Sequence, residues 1–290
     1  ETGVEEGLDP VTAIRMATLN AAECFDLKDR GAIAPGYRGD VVLLDDLKDF
    51  HVNRVFVEGA LVAEEGKYLP EIKKCDISSV KGSVIVKDFS KEKFKMNLKS
   101  NKVNVIKILP GGVVTAKDTA EIELDANGEF VRNLEVDLVK VAVVERHQGT
   151  GNVACGFLKG YGIKEGAVAL SIAHDSHNII VVGVSDEEME FAVNSLIEQE
   201  GGMVLVKEGK VIESMPMPIA GLMSDQSGEW VDQKLTDIHE KAYEELGICG
   251  DVEPVMTLCF MSLAVIPEIK LTDMGLFDVT TFSFIPVEAE

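Results

Sequence analysis

Ala167-Val-Ala-Leu-Ser-Ile-Ala-His-Asp-Ser-His-Asn-Ile-Ile-Val-Val-Gly183 is the most informative stretch of this 290-residue sequence. Two apolar runs flank five consecutive polar residues, His174 to Asn178, and two of these are histidines from a total of five in the chain. Apolar runs of this length are typical of buried β-strands, and buried polar side chains need hydrogen-bond partners. The pentapeptide therefore predicts either a turn between two core strands or a functional site.

Towards the amino terminus the pattern predicts one helix followed by short strands. Asp9-Pro10 has the chemistry of a helix start, and the spacing of apolar residues predicts a helix from about Pro10 to Cys24. A short strand at 40–45 and a hairpin at 54–63 follow. So few strands make a poor isolated domain. We therefore expect residues 1–72 to be the last part of something larger, and the absence of an initiator Met suggests a fragment or a processed chain.

Towards the carboxy terminus the sequence mixes hairpins with long helices. Ser185 begins a capping box that predicts a helix to about Gln199, and an apolar stripe predicts a second helix over about 229–246. We also predict that the strand at 120–124 pairs with the strand at 136–144. These patterns indicate an α+β domain over 101–290, joined to the first region by a lysine-rich linking region at 73–100.

Composition excludes several classes of partner. The net charge of −22 and the pI of about 4.6 disfavour nucleic acid and anionic membranes. No apolar run reaches the roughly 18–20 residues that span a bilayer. The five cysteines are widely spaced and form no C-x-x-C pair, which favours reduced thiols and a cytoplasmic location over a disulfide framework.

The polar pentapeptide and a second charged segment supply the candidate site residues. His174 and His177 are separated by three positions, so a turn is needed to bring them together; they are candidate metal ligands, with Asp175 as a ligand or an orienting group. The alternative is an ordinary polar turn. Glu145-Arg-His147 ends another strand, where a charged tripeptide is usually solvated. The following Gln148–Asn152 stretch is a weak candidate for binding an anion or the edge of a purine.

Several catalytic arrangements are absent from the sequence. It contains no P-loop motif and no His-x-His pair of the kind found in binuclear hydrolase barrels. No Ser-His-Asp order or Cys-His arrangement stands out either. From the residues alone, the chain is an α+β protein with one candidate polar site.

The motifs together resemble the carboxy-terminal part of the adenine deaminase family, within the amidohydrolase superfamily. Residues 10–20, 31–36 and 39–45 resemble the last helix of a (β/α)8 barrel and the small β-domain that follows it. More specific are four segments that resemble the domain after the barrel. These segments are Glu145-Arg-His147, Ala173-His-Asp-Ser-His-Asn178, Pro218-Ile-Ala-Gly-Leu-Met-Ser224 and Lys270-Leu-Thr-Asp-Met-Gly-Leu-Phe277.

The resemblance implies hydrolytic deamination of adenine to hypoxanthine and ammonia, in purine salvage or catabolism. Family members use a binuclear Mn²⁺ or Fe²⁺ centre that activates water. The main metal ligands are expected outside this chain, so the chain alone is expected to be inactive. The candidates that remain for catalysis are His147, His174, Asp175 and His177, and those for metal binding are His174 and His177. Expected partners are adenine and water, in a homo-oligomer.

Two alternatives stay open at this point. The first is a non-catalytic domain for oligomerisation or purine sensing, in which the polar cluster is structural. The second is another amidohydrolase, such as a cyclic-amide hydrolase. That second alternative rests on the first 70 or so residues and leaves the four specific segments unexplained.

Overall fold

The computed structural model describes residues 2–133 and 135–289 and divides the chain into two compact units, Glu1–Cys75 and Asp76–Glu290. The first unit contains helices and one four-stranded antiparallel sheet in the order β1-β2-β3-β4. Its elements are α1 (Thr2–Glu5), α2 (Pro10–Arg15), α3 (Ala21–Cys24), β1 (Val41–Leu44), β2 (Val52–Val57), β3 (Ala60–Glu64) and β4 (Lys67–Tyr68).

The helix predicted from Pro10 to Cys24 is confirmed, with an irregular middle. A π-helical turn, Met16–Asn20, connects α2 to α3. Asp9 caps the start, because its carboxylate accepts a hydrogen bond from the Thr12 backbone N–H at 2.9 Å. The predicted hairpin is formed by β2 and β3.

A buried core is nearly absent from the first unit. Within residues 2–75, all of which are described, Ala22 alone is buried. Large apolar side chains are exposed instead, including Phe25 at 75 %, Ile33 at 90 % and Ile72 at 77 % of their surface. This unit therefore has little apolar burial of its own to oppose the conformational entropy of folding.

The second unit is built on an eight-stranded sheet. The strand order is β14-β13-β11-β12-β9-β10-β5-β6, and every neighbouring pair is antiparallel except β10 with β5. The strands are β5 (Lys102–Ile108), β6 (Thr115–Glu121), β9 (Leu138–Val144), β10 (Val153–Lys159), β11 (Ala167–Leu170), β12 (Ile179–Gly183), β13 (Gly202–Lys207) and β14 (Lys210–Pro216).

Apolar layers cover both faces of the sheet. One face packs against α4 (Asp186–Glu198) and Phe94, and the other packs against α5 (Gly228–Glu244), α6 (Pro254–Cys259) and a small sheet. That small sheet consists of β15 (Ile269–Thr272), β16 (Gly275–Asp278) and β17 (Ser283–Phe284). Because both faces are covered, every residue of β9 is buried.

Sequence signals for the two long helices are confirmed. The Ser185 side chain accepts a hydrogen bond from the Glu188 N–H and caps α4. The Ser227 side chain accepts from the Trp230 N–H and caps α5. The α+β class is also confirmed, since the chain has several sheets and few helices.

The predicted pairing of 120–124 with 136–144 is wrong. Residues 123–131 form a separate short hairpin of β7 (Glu123–Leu124) and β8 (Phe130–Val131). It is closed by Asp125, whose carboxylate accepts hydrogen bonds from the Asn127 and Glu129 N–H groups. Instead, β9 lies between β10 and β12. Apart from Lys140, every residue of β9 is apolar, and such a strand is stabilised most in the middle of a sheet covered on both faces.

Most of the predicted linking region, residues 76–100, lies in the second unit. Two 3₁₀ turns, Ser78–Val80 and Lys91–Phe94, are its regular elements, and Phe94 is fully buried. The predicted domain boundaries at residues 72 and 100 stay predictions. In the parts of the chain that are described, no helix has the length and apolar character needed to cross a membrane.

Candidate functional site

The four segments that resemble the adenine deaminase family meet at one end of the large sheet. Val144, which ends β9, pairs with Val153 of β10 and Ile179 of β12. In the same way Leu170, which ends β11, pairs with Ile180, and Gly202 pairs with Pro216 at the end of β14. The loops after β9, β11 and β14 therefore emerge at the same end of the sheet. Hydrogen bonds join these loops to each other and to the β15–β16 turn.

The Glu145 carboxylate organises the first loop. It accepts hydrogen bonds from the backbone N–H groups of His147, Gln148 and Thr150 at 2.5, 2.7 and 2.9 Å, and from the Thr150 hydroxyl at 3.0 Å. Burial opposes ionisation of this carboxyl, but these donors outweigh it and lower its pKa to about 2. The predicted anion nest at Gln148–Asn152 is therefore filled by the chain's own carboxylate.

His147 lies two residues after Glu145, at the surface. Its Nε2 atom is 2.7 Å from the carbonyl oxygen of Ser176. A carbonyl accepts only, so Nε2 carries the proton, and in the neutral ring Nδ1 keeps its lone pair. This arrangement prepares Nδ1 to accept a proton or a hydrogen bond.

His174 and His177 come together in the second loop. Their ring centroids are 5.2 Å apart, and the His174 ring lies 4.8 Å from that of Phe260. The His177 Nδ1 atom is buried without a hydrogen-bond partner among the described residues. Burial and the nearby His174, Arg146 and His147 lower the pKa of His177. His177 is therefore held towards its neutral form. Asp175 is exposed between the two histidines.

Arg146 was not among the residues predicted for the site. The interpretation of Glu145-Arg-His147 as a solvated strand end is wrong for its first two residues, since Glu145 is 6 % and Arg146 is 1 % exposed. Arg146 donates from Nε to the His177 carbonyl at 2.5 Å and from Nη2 to the Ala220 carbonyl at 3.2 Å. The sequence did contain one signal for this burial. The tripeptide directly follows β9, a strand that is buried on both faces.

A second polar bridge connects the fourth segment. The Asp273 carboxylate, in the turn between β15 and β16, accepts from the Asn178 side-chain amide at 3.2 Å and from that of Asn152 at 3.3 Å. The Asn178 amide oxygen in turn accepts from the Arg146 N–H at 3.3 Å. The contacts of Asp273 with Asn152 and Asn178 were not predicted, because they join residues far apart in the sequence.

The residues do not assemble a metal centre. Among residues 2–133 and 135–289, no group of three or more His, Cys, Asp and Glu side chains is placed to hold a metal ion. The pair His174 and His177 offers two imidazoles, whereas a binuclear centre needs a larger set of ligands. The candidate residues therefore do not fit a binuclear Mn²⁺ or Fe²⁺ site, and their roles in catalysis stay predictions.

Comparison with known proteins first defines the class. Residues 2–62 match the pattern of the amidohydrolase family, and residues 112–283 match that of the adenine deaminase C-terminal domain. The second match covers more than half of the chain and includes all four segments of the site. The chain belongs to the adenine deaminase C-terminal domain family.

Three curated relatives are similar along nearly the whole chain. The protein named "Adenine deaminase 2" of Desulfotalea psychrophila is 66 % identical over 98 % of this chain and 50 % of its own length. "Adenine deaminase" of Ligilactobacillus salivarius is 48 % identical over 99 % of this chain and 50 % of its own length. "Adenine deaminase 2" of Carboxydothermus hydrogenoformans is 46 % identical over 98 % of this chain and 50 % of its own length. The chain spans about half the length of these relatives.

Proposed function

We propose that this chain is the carboxy-terminal half of an adenine deaminase, which converts adenine and water into hypoxanthine and ammonia. The observation that carries the proposal is the 66 % identity, over 98 % of this chain, to a protein named for that activity. The site supports it, because the four specific segments of the domain meet at one end of the sheet through the Arg146 and Asp273 hydrogen bonds.

The first unit is proposed to be the end of a (β/α)8 barrel and its small β-domain. Its match to the amidohydrolase family supports this assignment. So does its lack of a core, because the exposed side chains of Phe25, Ile33 and Ile72 are suited to packing against further structure. We propose that the missing contacts, and the ligands of a binuclear Mn²⁺ or Fe²⁺ centre, are supplied by the other half of the enzyme.

The site residues are proposed to act on the purine and on its protons. In the reaction, oxygen from water bonds to C6 of adenine, the bond from C6 to the exocyclic nitrogen breaks, and that nitrogen leaves as ammonia with an added proton. His147 Nδ1 is free to exchange a proton, since its Nε2–H is committed to the Ser176 carbonyl. His177 is held neutral by its surroundings, so it suits an accepting role at neutral pH.

The test compares the full-length protein with the 290-residue chain. We expect the full-length protein with Mn²⁺ to release ammonia from adenine, and the chain alone to release none under the same conditions. Absence of ammonia from the metal-loaded full-length protein contradicts the proposal. Adenine binding to the chain by calorimetry, together with full activity of His147→Gln and His177→Gln in the full-length protein, would favour the alternative of a non-catalytic purine-sensing domain.

A further inference from the structure

Arg146 is a buried cation that interacts with backbone carbonyl groups. It is 1 % exposed, and no carboxylate lies within ion-pairing distance of it in the described parts of the chain. Its Nη1 atom is buried and has no hydrogen-bond partner among residues 2–133 and 135–289. Taking a guanidinium out of water is costly, so an arginine in this position, rather than an apolar residue, needs a reason.

The two carbonyl groups that Arg146 binds belong to strained residues. His177 has φ 53° and Ala220 has φ 58°, in the left-handed region that non-glycine residues rarely adopt. Such conformations cost free energy and persist where surrounding contacts fix them, often at functional sites. Arg146 therefore stabilises one strained residue in each of two separate loops.

Gly221 shows how closely the second loop approaches the guanidinium. A Cβ atom built on Gly221 would lie 2.7 Å from Arg146 Nη1 and 3.0 Å from Cζ. The loop itself is a tight turn in which the Met223 N–H donates to the Ile219 carbonyl at 3.1 Å. The guanidinium is therefore enclosed between the His177 carbonyl on one side and the turn at 219–223 on the other.

We infer that Arg146 is the positioning residue of the site, and that its guanidinium holds the loop at 174–178 and the turn at 219–223 in one fixed arrangement. This inference rests on the proposed function, because it assigns the arrangement to adenine deamination. Arg146 contacts neither substrate nor metal in this role. It acts through His177, and through Asn178, which its backbone N–H contacts.

Arg132 provides a matched control. It is partly buried and also donates to two backbone carbonyls, those of Lys164 at 3.0 Å and Ile163 at 2.6 Å, outside the four segments of the site. The substitutions Arg146→Lys and Arg132→Lys keep the charge and remove the planar fork that binds two acceptors at once. If the two variants behave differently, the effect of Arg146→Lys is due to the place of Arg146 in the site and not to the general loss of an arginine.

Hydrogen exchange in the 290-residue chain tests the positioning itself. The readouts are the amides of His177, which donates to Ala173, and of Met223, which donates to Ile219. We expect Arg146→Lys to speed exchange at both amides by about 10- to 100-fold, because the planar guanidinium that binds both carbonyl groups at once is lost. Arg132→Lys should change neither by more than about threefold. Equal effects of the two variants, or an effect on only one amide, overturn the inference.

The wild-type chain offers a check that needs no variant, should Arg146→Lys not fold. A single guanidinium that holds both loops makes them open together, so the His177 and Met223 amides should show protection factors within about threefold of each other. Protection factors that differ by about 30-fold or more would mean that the loops open independently, and this outcome also overturns the inference.

Kinetics in the full-length enzyme separate positioning from stability. We expect Arg146→Lys to lower kcat for adenine by about 100-fold with KM changed less than threefold, because small misplacement of catalytic groups reduces rate more than binding. Arg132→Lys should keep wild-type values. An unchanged kcat in Arg146→Lys contradicts the inference. An inactive wild-type enzyme contradicts the proposed function instead, and the exchange experiment then still decides whether Arg146 positions the two loops.

Discussion

Glu145→Gln tests whether the Glu145 carboxylate organises the first loop of the site. The wild-type carboxylate accepts three backbone N–H groups and one hydroxyl. A glutamine amide keeps one oxygen and turns an NH₂ group towards these donors, so several of the four hydrogen bonds are lost. The substitution changes neither the length nor the shape of the side chain, so the measured loss belongs to the charge and its acceptor sites.

The expected magnitude follows from the pKa. Although burial raises it, the backbone donors lower the pKa of Glu145 from 4.5 to about 2. At about 1.4 kcal/mol per pH unit, the difference corresponds to about 3 kcal/mol of stability at neutral pH. A carboxyl whose pKa is lowered by folding makes its full contribution to stability when the pH is above its pKa in the unfolded chain, 4.5. This contribution to stability falls as the pH drops towards 2. By the same relation between pKa and stability, the carboxylate still contributes about 2 kcal/mol to stability at pH 3.5.

The assay is urea unfolding of wild type and Glu145→Gln between pH 7 and pH 3.5. We expect the free energy of unfolding to differ by about 3 kcal/mol at pH 7 and by clearly less at pH 3.5. Glu240→Gln, which removes a carboxylate from the exposed face of α5, is the control and should change stability by less than about 0.5 kcal/mol. A difference below about 1 kcal/mol at pH 7, or one that does not shrink on acidification, refutes the reasoning.

Three further predictions concern other parts of the fold. Burial lowers the pKa of the fully buried Lys270 to about 8, so between pH 8 and 10 the unfolded chain binds more protons than the folded chain. The free energy of unfolding of the wild type, measured with urea, should therefore rise with pH in this range. That of Lys270→Met should not. Gly166→Ala should reduce the yield of folded protein in gel filtration, because its Cβ would lie 1.9 Å from the Val206 carbonyl oxygen at a φ of +68°. Residues 1–75 expressed alone should show no cooperative thermal transition by circular dichroism, whereas residues 76–290 should show one, since the large core lies there.

Local signals in the sequence were sufficient for much of the fold. Ser185 and Asp9 cap helices where their side chains predicted them, because a cap depends on residues three positions apart. The strands on either side of the His174–Asn178 pentapeptide are also where the apolar runs indicated. Pairing of β9 was not predictable in the same way, since an apolar run does not specify its neighbours.

The site was predictable only in part. His147, His174, Asp175 and His177 were identified as polar residues beside apolar strands, and the structure places all four in two adjoining loops. Arg146 was assigned to solvent because its burial depends on the Ala220 carbonyl, 74 positions away. Asp273 was missed for the same reason, since Asn178 lies 95 positions away. Contacts over such distances are set by topology, and a single sequence does not show them.

The most direct test of the account is the deamination of adenine by full-length His147→Gln. Glutamine keeps a donor for the Ser176 carbonyl but has no ring nitrogen that can accept a proton. We predict that kcat/KM falls by about 100-fold or more. The matched variant His239→Gln, in α5 and paired with Glu253 outside the four segments, should keep wild-type activity. Activity of His147→Gln within about twofold of wild type would contradict the claim that these loops form part of the catalytic site.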